Sequence, residues 1–231
     1  MKNPINFLYT FIIIILFITS SVRGQEVNSI NLGERHTIYS KVLDEDRPYL
    51  IYLPEDYNTN GQSLAVMYLL DGGGHFHHTT GIVSFLRNQG IIPHMMVVGI
   101  PNTDDRTKDL TPVITEDTSA MTGFPTAGGA DKMLEFLKDE LIPKINADYN
   151  TNNYKLLVGH SFGGIFSLNA LLKEPALFDS HISISPSMWW DNQHLVDRAE
   201  KFLKMQDSLD VYYYMTMGNE GGNMLGGAMK L

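Results

Sequence analysis

No cysteine occurs among the 231 residues. Disulfides, thiolate metal ligands and lipid attachment through a thiol are excluded, so core packing has to supply the stability. Positive charge is scarce: 17 Lys and Arg stand against 26 Asp and Glu, a formal net charge of −9. With no basic stripe to neutralise phosphates, a nucleic-acid partner is disfavoured. Long hydrophobic runs are also missing. The most apolar stretch, Phe7 to Ile18, is about a dozen residues, well short of the ~20 needed to span a bilayer. The last absence is local: no histidine follows His194.

What is present begins with an export pattern. Lys2 gives a short positive start, the apolar stretch follows, and Val22-Arg23-Gly24 offers small residues at the positions a signal peptidase inspects. Residues 1–24 are expected to be a signal peptide and Gln25 the first mature residue, with a periplasmic or secreted destination and no stable membrane span after cleavage. Residues 25–231 show no linker, repeat or low-complexity tract and read as one domain.

Within it, β-branched and aromatic runs bounded by Gly, Pro, Asp and Asn predict strands at 35–42, 48–53, 63–70, 95–100, 155–158, 181–185 and 210–216. Helical segments alternate with the later strands, at 76–88, 129–147, 162–173 and 192–205. In the second of these, Leu134, Leu137, Leu141 and Ile145 recur at helical spacing. Strands first and alternation afterwards predict an α/β class with a largely parallel sheet. The polar, irregular stretch Pro101–Thr126 is long enough to be a lid or substrate rim.

The chemistry centres on Gly159-His160-Ser161-Phe162-Gly163, between the apolar run Lys155–Val158 and the helical run beginning at Phe162. Gly-x-Ser-x-Gly in a strand–turn–helix setting is a nucleophile elbow, which makes Ser161 the candidate nucleophile. The Phe162 amide, at the start of the helix, is the first candidate oxyanion donor. The second is expected in the loop after the third strand, Leu70-Asp71-Gly72-Gly73-Gly74-His75-Phe76, with Gly73 as the donor. His75, His77 and His78 could suggest a metal, but histidines at a helix start or site rim explain them better, and no metal or cofactor is expected.

In folds built on such an elbow the chain order is Ser, then Asp or Glu, then His. Glu220, after the strand at 210–216, is the candidate acid and Asp191 its rival. The histidine is missing: His181 and His194 precede the acid, and His160 is expected to point away from the serine hydroxyl. A serine without a general base is a poor nucleophile. The sequence is therefore expected to be C-terminally incomplete, cut before the catalytic histidine together with the last strand and helix.

Four segments in register, namely Gly159–Gly163, Leu69-Leu70-Asp71-Gly72, Asp105–Pro112 and Ser185-Pro186-Ser187-Met188-Trp189-Trp190-Asp191, resemble the esterase family of α/β-hydrolases that includes enterochelin-esterase-like and esterase-D-like enzymes. The resemblance covers roughly residues 30–220. It implies an α/β-hydrolase fold, with helices on both faces of a mostly parallel sheet. It also implies a serine esterase that forms an acyl-enzyme and needs no cofactor; with the signal pattern of residues 1–24, an exported one. Carried over by position, the nucleophile falls on Ser161, the oxyanion amides on Gly73 and Phe162, and the acid on Glu220. The implied substrate is a small-molecule ester, such as a siderophore or carbohydrate ester. An inactive binding module and an acyltransferase of the same fold are the alternatives. Trp189 and Trp190 could line the substrate pocket or belong to the core.

Overall fold

In the computed structural model, residues 30–57, 61–103, 105–113 and 123–231 are described. The expected signal peptide at 1–24 lies outside them. By its contacts the chain divides into residues 1–31 and the unit Leu32–Leu231. Of the first unit only Ile30 and Asn31 are described, both exposed and without regular structure.

The second unit is built on seven strands: β1 (Glu34–Ser40), β2 (Glu45–Tyr52), β3 (Leu64–Leu70), β4 (Met95–Ile100), β5 (Thr151–His160), β6 (Ser180–Ile184) and β7 (Tyr212–Thr216). They form one sheet in the order β1-β2-β4-β3-β5-β6-β7. β1 and β2 pair antiparallel, as do β2 and β4, and every later pairing is parallel. β3 and β4 are buried along their whole length, which explains why they read as continuous apolar runs rather than alternating ones. β2 is a half-covered strand, with Arg47, Tyr49 and Ile51 turned inward.

Helices lie on both faces. α1 (Gly72–Asn88) brings Val83 and Phe76 to a smaller cluster with Ala65, Met67, Val97 and Val158. The larger cluster takes residues from α3 (Ala130–Phe136), α4 (Ile142–Asp148), α5 (Phe162–Lys173) and α6 (His194–Lys204). α5 is buried continuously from Phe162 to Leu171. Among the described residues there are also two short α-helices, α2 (Arg106–Leu110), inside the stretch expected to be irregular, and α7 (Gly222–Ala228), which the sequence did not announce. Among the described residues no helix is long and apolar enough to cross a membrane.

The expected helix over 129–147 forms, with Leu134, Leu137, Leu141 and Ile145 all buried. It is interrupted by a π-helical turn, Leu137–Leu141, just before Pro143. A proline inside a helix lacks an N–H and crowds the carbonyl four residues back, and a widened turn accommodates it. Glu140 in that turn accepts from Ser40 Oγ at 2.5 Å and the Lys41 amide at 2.8 Å, fastening the β1–β2 hairpin.

Several boundaries differ from expectation, most of all β5, which runs from Thr151 to His160 rather than over 155–158, and the start of α1. α1 begins at Gly72, not Phe76, so the three glycines are the first helical turn rather than a loop. A Cβ on Gly72 would stand 2.5 Å from the Ile100 amide nitrogen, so the helix starts hard against the end of β4. Asp71, at φ 54° and ψ 32°, makes the corner from β3 into the helix.

This topology selects a position for a site. From β3 the chain goes to β4 on one side, then crosses to β5 on the other. Such a switch point opens a crevice at the carboxyl ends of the strands. α1 and α5 start at those two ends.

Candidate active site

Ser161 makes the corner between β5 and α5 at φ 57°, ψ −112°. A non-glycine residue in that region is strained and persists only where its surroundings over-determine it. They do so here. The Ser161 amide donates to the Ile184 carbonyl at 3.0 Å, and the Ser161 carbonyl accepts from the amides of Gly164, Ile165 and Ser187. The flanking glycines are required by contact. A Cβ on Gly159 would lie 2.2 Å from the Gly163 carbonyl oxygen, and one on Gly164 2.8 Å from Pro186 Cα. At Gly163 the nearest atom is Asp71 Oδ2 at 3.3 Å, so this second glycine of the pentapeptide is less constrained than Gly164 beside it. The half-buried Ser161 hydroxyl meets the Ser187 hydroxyl at 2.9 Å.

The two candidate oxyanion amides belong to first turns. Phe162 directly follows the Ser161 cap, and Gly73 is the second residue after the Asp71 cap. First-turn amides have no carbonyl four residues back to satisfy them, and the helix dipole adds partial positive charge there. Because β3 and β5 are adjacent and parallel, with Leu69 opposite Val158, both amides sit at one end of the sheet.

A polar clamp joins the two helix starts. Asp71, only 7% exposed, accepts from Arg106 Nε at 2.6 Å, from Arg106 Nη2 at 2.9 Å and from Asn102 Nδ2 at 2.5 Å. Arg106 Nη2 also donates to the His160 carbonyl at 3.2 Å, and the guanidinium stands 5.2 Å from the centre of the Phe162 ring. Arg106 is thus fixed to the cap of α1, to the residue before the nucleophile and to the residue after it. Its helix is anchored at the far end too, by the buried pair Asp109–Arg47 at 2.7 Å. The Asp105–Pro112 and Ser185–Asp191 segments were visible in the sequence as motifs. The clamp by Arg106 and the Ser187 hydroxyl contact were not, because both depend on long-range packing.

The remaining candidates are spread around this centre. Glu220 lies four residues past β7, the edge strand that runs parallel to β5 two strands away, and is exposed. Asp191 is buried at 4% exposure, in a left-handed conformation next to Trp190. Among the described residues, no histidine hydrogen-bonds the Ser161 hydroxyl. His160 is exposed, with its ring against His75 rather than the serine. His181 lies inside the molecule, Nδ1 on Ser167 Oγ at 3.0 Å, and burial lowers its pKa from the ordinary 6.5 to about 4. His194 sits at the start of α6.

Two pocket walls flank the elbow. On one side Phe124, Phe162 and Trp189 gather with ring centres 5.9–6.0 Å apart. The Trp pair divides between the two expected roles: Trp190 is core, with Nε1 donating to the Pro112 carbonyl, whereas Trp189 stays half-buried on the wall. On the other side His75, His78 and His160 rim a pocket of about 210 Å³ floored by Leu69 and Val158. His77 is not part of it, and among the described residues no three His, Asp or Glu side chains are placed to share a metal ion.

Comparison with known proteins fits this geometry. The model of a family described as "Putative esterase" matches residues 40–225. The siderophore triacetylfusarinine C esterase of Aspergillus fumigatus is 31% identical over 183 residues, covering 70% of this chain and 60% of that protein. The ferri-bacillibactin esterase BesA of Bacillus subtilis is 28% identical over 203 residues, covering 81% of this chain and 70% of that protein. Among solved structures, an IroE-like serine hydrolase from Shewanella oneidensis superposes with a TM-score of 0.72 at 32% identity, over 79% of this chain and 60% of the other. The chain spans about 60% of the length of the curated fungal relatives it matches.

Proposed function

This chain belongs to the esterase family whose model spans residues 40–225, and from that membership we propose that it is the Ser161-bearing part of an exported carboxylic ester hydrolase working through an acyl-enzyme. The observation that carries the reading is the strained, over-determined Ser161 at φ 57°, one residue from the first-turn amide of Phe162 and one strand away from that of Gly73. Ser161 Oγ attacks the ester carbonyl carbon and loses its proton to a base. The carbonyl oxygen, now an anion, accepts from the two amides, where water-excluded donors are worth far more than in bulk solvent. Collapse breaks the bond to the alcohol oxygen, which takes up the proton, and water then cleaves the acyl-serine by the same steps in reverse order of roles.

The base in this scheme is a histidine from outside these 231 residues, oriented by Glu220. The reading rests on the lack of a histidine on Ser161 among the described residues and on the shorter span of this chain relative to its fungal relatives. Small-molecule esters of the siderophore kind are the proposed substrates, because two fungal relatives are named siderophore esterases and a bacterial one a ferri-bacillibactin esterase. Export rests on the pattern Lys2, Phe7–Ile18 and Val22-Arg23-Gly24.

Hydrolysis of p-nitrophenyl acetate tests the reading. This chain should turn the ester over far more slowly than an intact family member and respond to added imidazole. Ser161→Ala should abolish the imidazole response. Full, imidazole-independent turnover that is lost in Ser161→Ala would refute the external base.

A further inference from the structure

Ser187 holds a place that the chemistry above leaves without a task. It belongs to the strap Ser185–Trp190, which follows β6 and lies against the elbow. Backbone contacts alone fasten this strap. The Ser185 amide donates to the Thr216 carbonyl at 2.8 Å, and the Ser187 amide donates to the Ser161 carbonyl at 3.2 Å. The Ser187 carbonyl accepts from the Trp190 amide at 3.0 Å. Pro186 packs so closely on Gly164 that a Cβ there would come within 2.8 Å of it. None of these contacts needs a hydroxyl at position 187. Its neighbours Met188 and Trp190 are apolar and as deeply buried, at 2% and 1% exposure against 2% for Ser187. Alanine would suit such a position, because a buried hydroxyl gives up its hydration and recovers little net free energy even when bonded.

The hydroxyl is bonded to the reacting atom itself: Ser187 Oγ stands 2.9 Å from Ser161 Oγ. One proton lies between the two oxygens, and the chemistry decides whose it is. Ser187 cannot serve as the base, since a protonated hydroxyl is a far stronger acid than the serine it would deprotonate. Were Ser161 the donor, its proton would point at Ser187 and be withheld from any base. With Ser187 as the donor, the Ser161 proton is free to leave in another direction. Charge then gathers on Ser161 Oγ as that proton departs, and a neutral hydrogen bond becomes a charge-assisted one. A contact that strengthens on the way to the transition state raises the rate, whereas one of constant strength does not.

We propose that Ser187 is a further catalytic residue, its hydroxyl donating to Ser161 Oγ and stabilising the negative charge that gathers there as the base removes the proton. In the attack, the bond from Ser161 Oγ to the carbonyl carbon forms and the carbonyl π pair moves onto its oxygen. The Ser161 proton passes to the base, and Ser187 keeps its own. When the acyl-serine is cleaved, the same donor faces Ser161 Oγ as that oxygen leaves the acyl carbon. The role rests on Ser161 being the nucleophile, as proposed above.

The rate of fluorophosphonate labelling at Ser161, read by mass spectrometry at one fixed imidazole concentration, tests the role in this chain. Ser187→Ala should label about tenfold more slowly than the parent, the loss expected when one donor to a charged oxygen is removed. Its urea unfolding midpoint should stay close to the parent's, because the strap keeps its backbone contacts. Ser187→Cys separates donation from packing. It fills the same space but offers only the weak S–H donor, so it should lose most of the same rate. A residue that merely fills space would be replaced by cysteine with little loss. Parent-like labelling in Ser187→Ala or in Ser187→Cys, with Ser161 of the parent labelled, overturns the role and leaves the nucleophile standing. A parent unlabelled at Ser161 overturns the nucleophile and this role with it.

Discussion

Ser161, at the end of β5, and Glu220, beyond β7, were assigned partner roles, but the protein holds them very differently. β5 has strands on both sides, and its last residues lead into a helix buried for ten consecutive positions, with backbone contacts below 3 Å waiting for a Cβ added at Gly159 or Gly164. β7 is the edge of the described sheet. Tyr212 and Tyr214 are 63% and 47% exposed, and Glu220 stands in solvent. The nucleophile end is thus fixed by packing, while the acid end has few neighbours to fix it. Positioning that catalysis depends on has to be built where the core can enforce it.

Substitutions can break that contrast. Gly159→Ala places a methyl 2.2 Å from the Gly163 carbonyl and should cost about 5 kcal/mol or prevent folding, since two backbones must part. Urea unfolding measures it. At the edge, Gly222, whose added Cβ meets nothing within 4 Å, should accept alanine with a change within about 0.5 kcal/mol, or a slight gain from helix propensity.

Next in size is Asp109→Ala. It leaves Arg47, 1% exposed, with only the more exposed Glu45 at 2.8 Å as a counter-charge and should cost about 3 kcal/mol, because the guanidinium stays buried after losing its buried partner. His181 follows. Its folded pKa is lowered to about 4 from the ordinary 6.5, so the unfolded chain takes up a proton before the folded one does. The stabilisation is complete above pH 6.5 and is lost as pH falls from there through about 4, up to about 3 kcal/mol. Replacing the imidazole should flatten that part of the stability–pH profile. Arg106→Gln comes next: with the clamp between the helix starts loosened, reaction at Ser161 should slow about tenfold, and lysine should not restore it, because one ammonium cannot reproduce the fork on Asp71. Glu220→Gln closes the series, with stability unchanged within about 0.5 kcal/mol.

The same contrast governs what could be read in advance. β3, β4 and the elbow were legible because burial on both faces leaves uninterrupted apolar runs, and the elbow needs small residues at fixed offsets. The start of α1 was not. Three successive glycines suggest a loop by propensity, and only the contact of Gly72 with the end of β4 shows why helix begins there. α2 was hidden for a related reason. Its five residues are held by Asp71 and Arg47, which lie 35 and 62 positions away from their partners. α7 is glycine-rich, and local propensity argues against it. Packing overrides propensity at Gly227, where a Cβ would fall 2.6 Å from Met188 Cβ. The Trp pair divides between core and wall because neighbouring residues in a tight turn face different ways.

The central claim is that these residues preform a nucleophile at Ser161 that reacts once a base is supplied. Covalent labelling by a fluorophosphonate, with imidazole supplied in solution and the modified residue mapped by mass spectrometry, tests it most directly. The expected result is a single label on Ser161, accelerated by imidazole and absent in Ser161→Ala. A label on another residue, or an unlabelled Ser161 at saturating imidazole, would contradict it.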